Sequence, residues 1–348
     1  MTHQVRVNLF SDTSTRPSEE MRKQMAEAEV GDEQLGEDPT VNRLQERVAE
    51  LLGKEAALFL PSGTMCNEIS FAVHCRPGDE IIMDETAHPL NFEGGGPAAL
   101  TGALIRPLQG QRGVFTADQV RAALRPPNRY HPRSRAVSVE QTTNIAGGAC
   151  WSLDSLRAVS ATARDAGLAT HLDGARLMNA VVATGTPAHE QVAGFDSAWI
   201  DLTKGLGAPV GAVLASDQSF IDEAWRFKQR LGGAMRQAGI IAAAGIYALD
   251  HNVDRLADDH ANAKSLARGL ATIPRIVIDP DAVETNIVIF SLEDGSSVEE
   301  FAGRMTTQHG VRFSMISPTS LRAVTHLDVD ATGIQLAIDA ARAVLSQP

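Results

Sequence analysis

The chain has 348 residues, 43% apolar and 21% charged, and its 31 Lys and Arg against 43 Asp and Glu leave a formal net charge of −12. At about 150 residues per domain, the length allows two domains with a sizeable core. The acidic balance argues against a nucleic-acid-binding protein and against an anionic membrane surface, while leaving room for a locally basic pocket.

The first ten residues, MTHQVRVNLF, lack the apolar core of a leader peptide. Val41, Leu44, Val48 and Leu51 recur at helical spacing over 41–52, with Asp38 as N-cap and Pro39 in the first helical position. AALFL (56–60) reads as a short buried strand. Further strands are predicted at EIIMD (80–84), RAVSVE (135–140), LATHLD (168–173), SAWIDL (197–202) and GAVLAS (211–216). Helical patterns, such as 116–124 and 152–166, lie between most of them. This alternation predicts an α/β fold with a mostly parallel central sheet and helices on both faces. A long helical stretch over roughly 217–271 breaks the alternation. It is followed by strands at 276–279, 286–292, 311–316 and 320–326, a helix near 297–309 and a last helix from about 330. A boundary near 250 therefore divides a large domain (1–250) from a smaller α+β C-terminal domain (251–348). Uncharged stretches reach 13 residues, as in 237–249, short of the roughly 20 that a membrane-spanning helix needs. Cys66, Cys75 and Cys150 are odd in number and form no CxxC pair, which fits a reducing cytoplasm.

Of the five lysines, Lys23, Lys54, Lys228 and Lys264 sit in polar contexts that read as solvated. Lys204 alone lies in a glycine-rich apolar stretch, WIDLTKGLGAPVGAVLAS, just past a strand. A lysine withdrawn from water loses basicity and can attack a carbonyl; a surface lysine at a strand end fits the same pattern. In HLDGARLMNA (171–180), Asp173 ends a strand and Arg176 follows. A buried acid there needs a cationic partner, such as the protonated ring nitrogen of pyridoxal phosphate; an ordinary N-cap is the alternative. His171 shares a strand face with Asp173, but no third metal ligand is evident, so no metal is expected. FLPSGTMCNE (59–68) places Gly63 and Thr64 at a helix start, where free N–H groups favour an anion. Arg236 in LGGAMRQAG and Arg322 in SLRAVTH are candidate anion grips, Arg322 being the only charge in an apolar strand. His88, in DETAHPL after a strand end, could stack on a ring or act as a base, or be a plain turn residue. Together these elements describe one ligand with a phosphate, a ring nitrogen and an aldehyde, beside a substrate carboxylate. In open α/β sheets such loops gather at the carboxyl ends of the strands.

These stretches resemble the low-specificity L-threonine aldolases, in the β-eliminating lyase group of fold-type I pyridoxal 5'-phosphate (PLP) enzymes. The resemblance spans nearly the whole chain and is carried by SDTSTRPSEEM (11–21), GEDPTVNRLQE (36–46), FLPSGT (59–64), HLDGARLMNAVVA (171–183), TKGLGAPVG (203–211), GGAMRQAGIIAAAGIYAL (232–249) and RAVTHLDV (322–329). It implies a PLP-dependent transferase-like fold. It implies retro-aldol cleavage of L-threonine, L-allo-threonine or a related β-hydroxy-α-amino acid to glycine and an aldehyde. Carried over, Lys204 forms the Schiff base, Asp173 holds the ring nitrogen protonated, His88 stacks on the ring and serves as base, and Gly63 and Thr64 bind the phosphate. Arg236 serves the phosphate of a neighbouring subunit, in a homo-oligomer (a dimer of dimers) with shared sites. Ser11, Arg176 and Arg322 bind the substrate carboxylate, Arg176 also lying near the cofactor's phenolic oxygen, with Thr13 in the same N-terminal segment. Three positions depart from the pattern: Thr143 stands in EQTTN where relatives place a histidine near the β-hydroxyl, Leu35 replaces a tyrosine and Phe10 an arginine. Another PLP reaction, such as β-elimination, or a non-catalytic protein on the same scaffold are the competing readings.

Overall fold

The computed structural model describes residues 5–293 and 296–346. The start of the segment read for a leader (1–4) and the last two residues of the second domain lie outside them. Seven strands build the central sheet: β1 (Ala56–Leu60), β2 (Asp79–Asp84), β3 (Leu104–Leu108), β4 (Arg133–Glu140), β5 (Ala169–Asp173), β6 (Ser197–Asp201) and β7 (Ala212–Ser216). Their spatial order is β1-β7-β6-β5-β4-β2-β3. β3, β2, β4, β5 and β6 run parallel, while β7 lies antiparallel to both β6 and β1. Reversal of β7 leaves β1 pointing the same way as β6, so the carboxyl ends of β1, β2, β4, β5 and β6 open on one edge.

Alternate residues of each strand enter different cores. Phe59, Ile82, Val137, Leu172 and Val213 pack into one apolar cluster. Leu58, Leu60, Trp199 and Leu214, with Ile81, Met83 and Ala136, pack into clusters separate from it. A sheet buried on both faces needs near-continuous apolar strands, which is why β2, β6 and β7 are buried along their whole length. The edge strand β3 had no recognisable pattern: its LIRPL sequence carries Arg106 and Pro107, tolerated because one side of an edge strand needs no partner.

The expected helix over 41–52 spans Pro39–Leu52, with the Asp38 carboxylate accepting from the N–H groups of Thr40 and Val41. The stretch over 217–271 resolves into Gln218–Arg230, Gly239–His251 and Leu256–Ala271. Two of the lysines read as solvated are not. Lys228 is fully buried and ion-paired with Glu33, whose other oxygen accepts the Met235 N–H at 2.7 Å. It follows Phe220 and Ala224 at four-residue spacing, so the helix carries it onto the inward face. Burial, only partly offset by Glu33, pulls its ammonium down to about 8. The Lys54 amine bonds the carbonyls of Val192 and Phe195.

The C-terminal strands β8 (Ile276–Val277), β9 (Ile287–Leu292), β10 (Ser314–Met315) and β11 (Ser320–Val324) form an antiparallel sheet ordered β10-β11-β9-β8. The stretch read as one strand over 311–316 divides at Phe313, whose ring packs into the local core 5.5 Å from Phe290. Val7 and Leu9 belong to this C-terminal core, and Val7–Asn8 pairs in parallel with Val311–Arg312. The Val324 N–H donates to the Leu9 carbonyl at 2.9 Å. The N-terminal segment is thus laid across the C-terminal sheet, which delivers Phe10, Ser11, Asp12 and Thr13 to the open edge of the central sheet. Among the described residues no helix is long and apolar enough to cross a membrane.

Candidate active site

A cavity of about 600 Å³ opens at that edge. It is lined by Ser11, Thr13, Gly63, Thr64, His88, Asp173, Arg176, Lys204 and Arg322, and also by Phe10, Glu93, Glu140, Asn144 and Asp201. At one end, β1 gives way to helix Gly63–His74, capped by the Ser62 hydroxyl, which accepts the Met65 N–H at 3.2 Å. A Cβ on Gly63 would collide with the Trp199 ring at 2.2 Å, so glycine is what lets this helix start sit against β6. Lys204 follows β6 in a short 3₁₀ turn with φ of +52°. That left-handed conformation costs a non-glycine residue about 1–3 kcal/mol and persists only where surroundings impose it. Thr15 contributes by donating its hydroxyl to the Lys204 carbonyl at 2.9 Å. The amine is ion-paired with Asp201, three residues earlier at the end of β6. The Asp201 partner was missed in sequence, although its place at the strand end was a usable signal.

Asp173, at the end of β5, is fully buried. Its Oδ1 accepts the Ala175 N–H at 3.0 Å and its Oδ2 accepts Asn67 Nδ2 at 2.8 Å. Asn67 is locked in this orientation because its Oδ1 accepts from Trp199 Nε1 at 2.8 Å and contacts His171 Nε2 at 3.0 Å. The same amide nitrogen donates to Glu93 Oε1, and that oxygen also accepts His88 Nδ1, both at 2.8 Å. Burial, then the charge of Glu93, push the Asp173 carboxyl up. Glu140, at the end of β4, is pushed up to about 8 by burial and by Asp173. His171 is a buried connector rather than a ligand: its Nδ1 meets Ser197 Oγ at 2.8 Å, and burial holds the ring neutral by driving its pKa well down.

The opposite wall is cationic. Arg176 is buried and forked onto Asp12, with Nε on Oδ2 and Nη2 on Oδ1, both at 2.7 Å. Burial alone would raise the Asp12 acid, but the Arg176 charge and hydrogen bonds outweigh it and hold the carboxyl well below the usual range. Asp12 lies in the quoted SDTSTR stretch, yet sequence reasoning gave it no role. Ser11 takes the Thr13 N–H at 3.2 Å and the Thr13 hydroxyl at 2.8 Å. Among the described residues Arg322, on β11, hydrogen-bonds neutral groups: Nη1 to Asn144 Oδ1 at 2.6 Å and Nε to Ser314 Oγ at 3.3 Å. Burial, then the neighbouring Arg176 charge, pull it down to about 10. A desolvated guanidinium beside a second one, with no carboxylate of its own, is a ready receptor for an anion.

Three residues singled out in sequence lie elsewhere. Thr143 is 1% exposed and stands behind the cavity wall, its hydroxyl accepting the Ala149 N–H at 3.0 Å; Asn144 and Ile145 form the wall instead. Arg236 has a 62% exposed side chain bonded to Asp32 at 2.8 Å, outside this chain's own cavity. Leu35 is 70% exposed in the Glu33–Leu35 turn. Phe10 does line the cavity, with the Arg312 guanidinium 4.2 Å above its ring.

The β-eliminating lyase family profile matches residues 8–293, which contain every lining residue above except those of the C-terminal sheet. The chain belongs to the β-eliminating lyase family. Among family relatives, low-specificity L-threonine aldolase 1 of Arabidopsis thaliana is 40% identical over 333 residues, 94% of this chain and 93% of its own length. The low specificity L-threonine aldolase of Escherichia coli K12 is 41% identical over 93% of this chain and 94% of its own. Solved structures share the fold. A putative L-allo-threonine aldolase from Listeria monocytogenes superposes with a TM-score of 0.82 at 21% identity, over 98% of this chain and 97% of that one. The threonine aldolase of Leishmania major gives 0.80 at 20% identity, over 97% of this chain and 99% of that one.

Proposed function

We propose that this chain is a PLP-dependent aldolase that cleaves L-threonine, L-allo-threonine or a related β-hydroxy-α-amino acid to glycine and an aldehyde. The observation that carries this reading is the division of one cavity into two chemistries. One side offers an amine (Lys204), a buried acid (Asp173) and a helix start (Gly63, Thr64); the other offers the paired guanidinium groups of Arg176 and Arg322.

PLP fits the first side. Asp173 keeps lone pairs free beyond its bonds to Ala175 and Asn67, and burial has already raised its acid, so a ring N–H facing it gains a charge-assisted bond. The helix start presents backbone N–H groups to a phosphate, and Lys204 supplies the amine for the aldehyde. When bound, PLP links covalently to the substrate amine and accepts the electron pair released as the Cα–Cβ bond breaks.

The chain's own residues do the rest. Arg322 and Arg176, with Ser11, hold the α-carboxylate and so fix the L configuration. Glu93 accepts the His88 Nδ1 proton, which leaves Nε2 as the lone-pair nitrogen that takes the β-hydroxyl proton. Asp173 keeps a proton on the ring nitrogen, which stabilises negative charge arriving at Cα.

The same reading extends to assembly. The basic side chains lining the cavity are those of His88, Arg176, Lys204 and Arg322, and Arg236 projects from the surface instead. We assign Arg236 to the phosphate of a neighbouring protomer, in a homotetramer built as a dimer of dimers. Three unpaired cysteines support a cytoplasmic location. Borohydride reduction followed by peptide mapping tests the site: PLP should be fixed on Lys204, and fixation on another lysine would overturn the assignment.

A further inference from the structure

Helix Gly63–His74 carries a second acid toward the site. Glu68 is 3% exposed, and neither of its carboxyl oxygens has a hydrogen-bond partner among the described residues. Glu93 Oε2 is likewise unpartnered, although Glu93 Oε1 holds both Asn67 and His88. The two carboxyl groups face each other within hydrogen-bonding reach. Space for this contact comes from Gly96. A Cβ there would stand 2.0 Å from Glu68 Oε1, while its φ of −51° and ψ of −48° suit any residue. The missing side chain, not the backbone, is what the position requires.

Two touching carboxylates in a buried site do not both ionise, and a protonated carboxyl gains one O–H donor. We propose that Glu68 is a neutral carboxylic acid that donates to Glu93 Oε2 and, through Glu93, positions the His88 imidazole. One proton then pairs two of the three unpartnered oxygens, one of Glu68 with Glu93 Oε2. With Glu68 on one oxygen and Asn67 and His88 on the other, the plane of the Glu93 carboxylate is fixed, and so is the ring it holds. Burial, then the Glu93 charge, push Glu68 up to about 8, in the same direction. The titratable groups around the pair are His88 across Glu93, Asp173 across the Asn67 amide, and Cys66 on the same helix. Glu68 is a positioning residue, since it touches Glu93 and not the cavity. Its protonation rests on this geometry alone; its effect on turnover rests on the role proposed for His88.

Infrared difference spectra of wild type minus Glu68→Gln, on cofactor-free protein, read the proton directly, because Glu140 and Asp173 cancel. A protonated-acid carbonyl band should appear below about pH 8, shift in D₂O, and vanish about two units above it. Absence of that band at neutral pH would overturn the proposal. In turnover, Glu68→Ala should lose about tenfold in kcat/KM for want of a hydrogen bond to a charged group. Glu68→Gln, whose amide donates to Glu93 Oε2, should recover most of that loss. Glu68→Gln cannot ionise, so its kcat/KM relative to wild type should rise about tenfold as pH climbs through the wild-type transition. A ratio flat across pH would sever Glu68 from His88. If Glu68→Ala fails to fold by circular dichroism, the infrared band and the Glu68→Gln profile decide the matter.

Discussion

Replacing Arg322 with methionine keeps the length of the side chain and removes its charge. Among the described residues that charge has neutral hydrogen-bond partners, Asn144 and Ser314, and a like charge beside it in Arg176. Its pKa, drawn down to about 10 by burial and by Arg176 and only partly restored by the charges of Asp12 and Glu140, marks a cation whose compensation is incomplete, which an incoming carboxylate would complete. Removing one partner of a buried, hydrogen-bonded charge pair costs about 2–5 kcal/mol. Arg322 is only half-buried, so solvent screening places the loss at about 2–3 kcal/mol, or about 30- to 160-fold in kcat/KM. The assay compares L-threonine with its amino-alcohol analogue, in which a CH₂OH group replaces the carboxylate. Wild type should discriminate strongly between them, and Arg322→Met should lose that discrimination by the same factor. A fall that is equal for both compounds would refute the reasoning, because it would make Arg322 a support for Asn144 and the cavity wall rather than a carboxylate receptor.

Removal of Asp12 should strand Arg176 in the interior: Asp12→Ala is expected to cost about 3–5 kcal/mol in urea unfolding at neutral pH. Because the folded Asp12 carboxyl is held below its unfolded value near 3.8, its contribution is present above that pH and lost as pH falls through the folded value. The gap between wild type and variant should therefore narrow in acid, and a gap constant with pH would contradict the ion-pair account. Thr143→His should destabilise the chain by about 1–3 kcal/mol, since Thr143 packs against Gly113 with no spare volume. It should also leave the L-threonine to L-allo-threonine ratio of kcat/KM within about twofold, because no hydrogen bond to substrate is gained or lost; a larger change would place the residue in the substrate pocket after all. Mixed oligomers of Lys204→Ala and Arg236→Ala chains should regain activity that neither homo-oligomer has, and no recovery in verified hybrids would argue against a shared phosphate site.

Much of the frame was legible because buried strands declare themselves. Runs such as EIIMD and SAWIDL have few other uses, and Lys204, Asp173 and Gly63 sit at strand ends where a doubly wound sheet opens. What stayed hidden depends on contacts between distant segments. Asp12 reaches Arg176 across 164 positions, and Glu93 draws Asn67 and His88 together; no local spacing encodes either. Lys228 reads as solvated because Arg226, Gln229 and Arg230 surround it, although the four-residue spacing from Phe220 and Ala224 points inward. Thr143 shows the reverse error. The family resemblance sets it beside the β-hydroxyl, whereas in the 143–149 turn its hydroxyl is spent on the Ala149 N–H.

Product stoichiometry tests the central claim most directly. Purified protein supplied with PLP and L-threonine, and separately with L-allo-threonine, should release glycine and acetaldehyde in equal amounts, without ammonia. Ammonia and a keto acid in place of glycine would show that the cavity breaks the bond to the β-hydroxyl instead of the Cα–Cβ bond, and would contradict the aldolase reading.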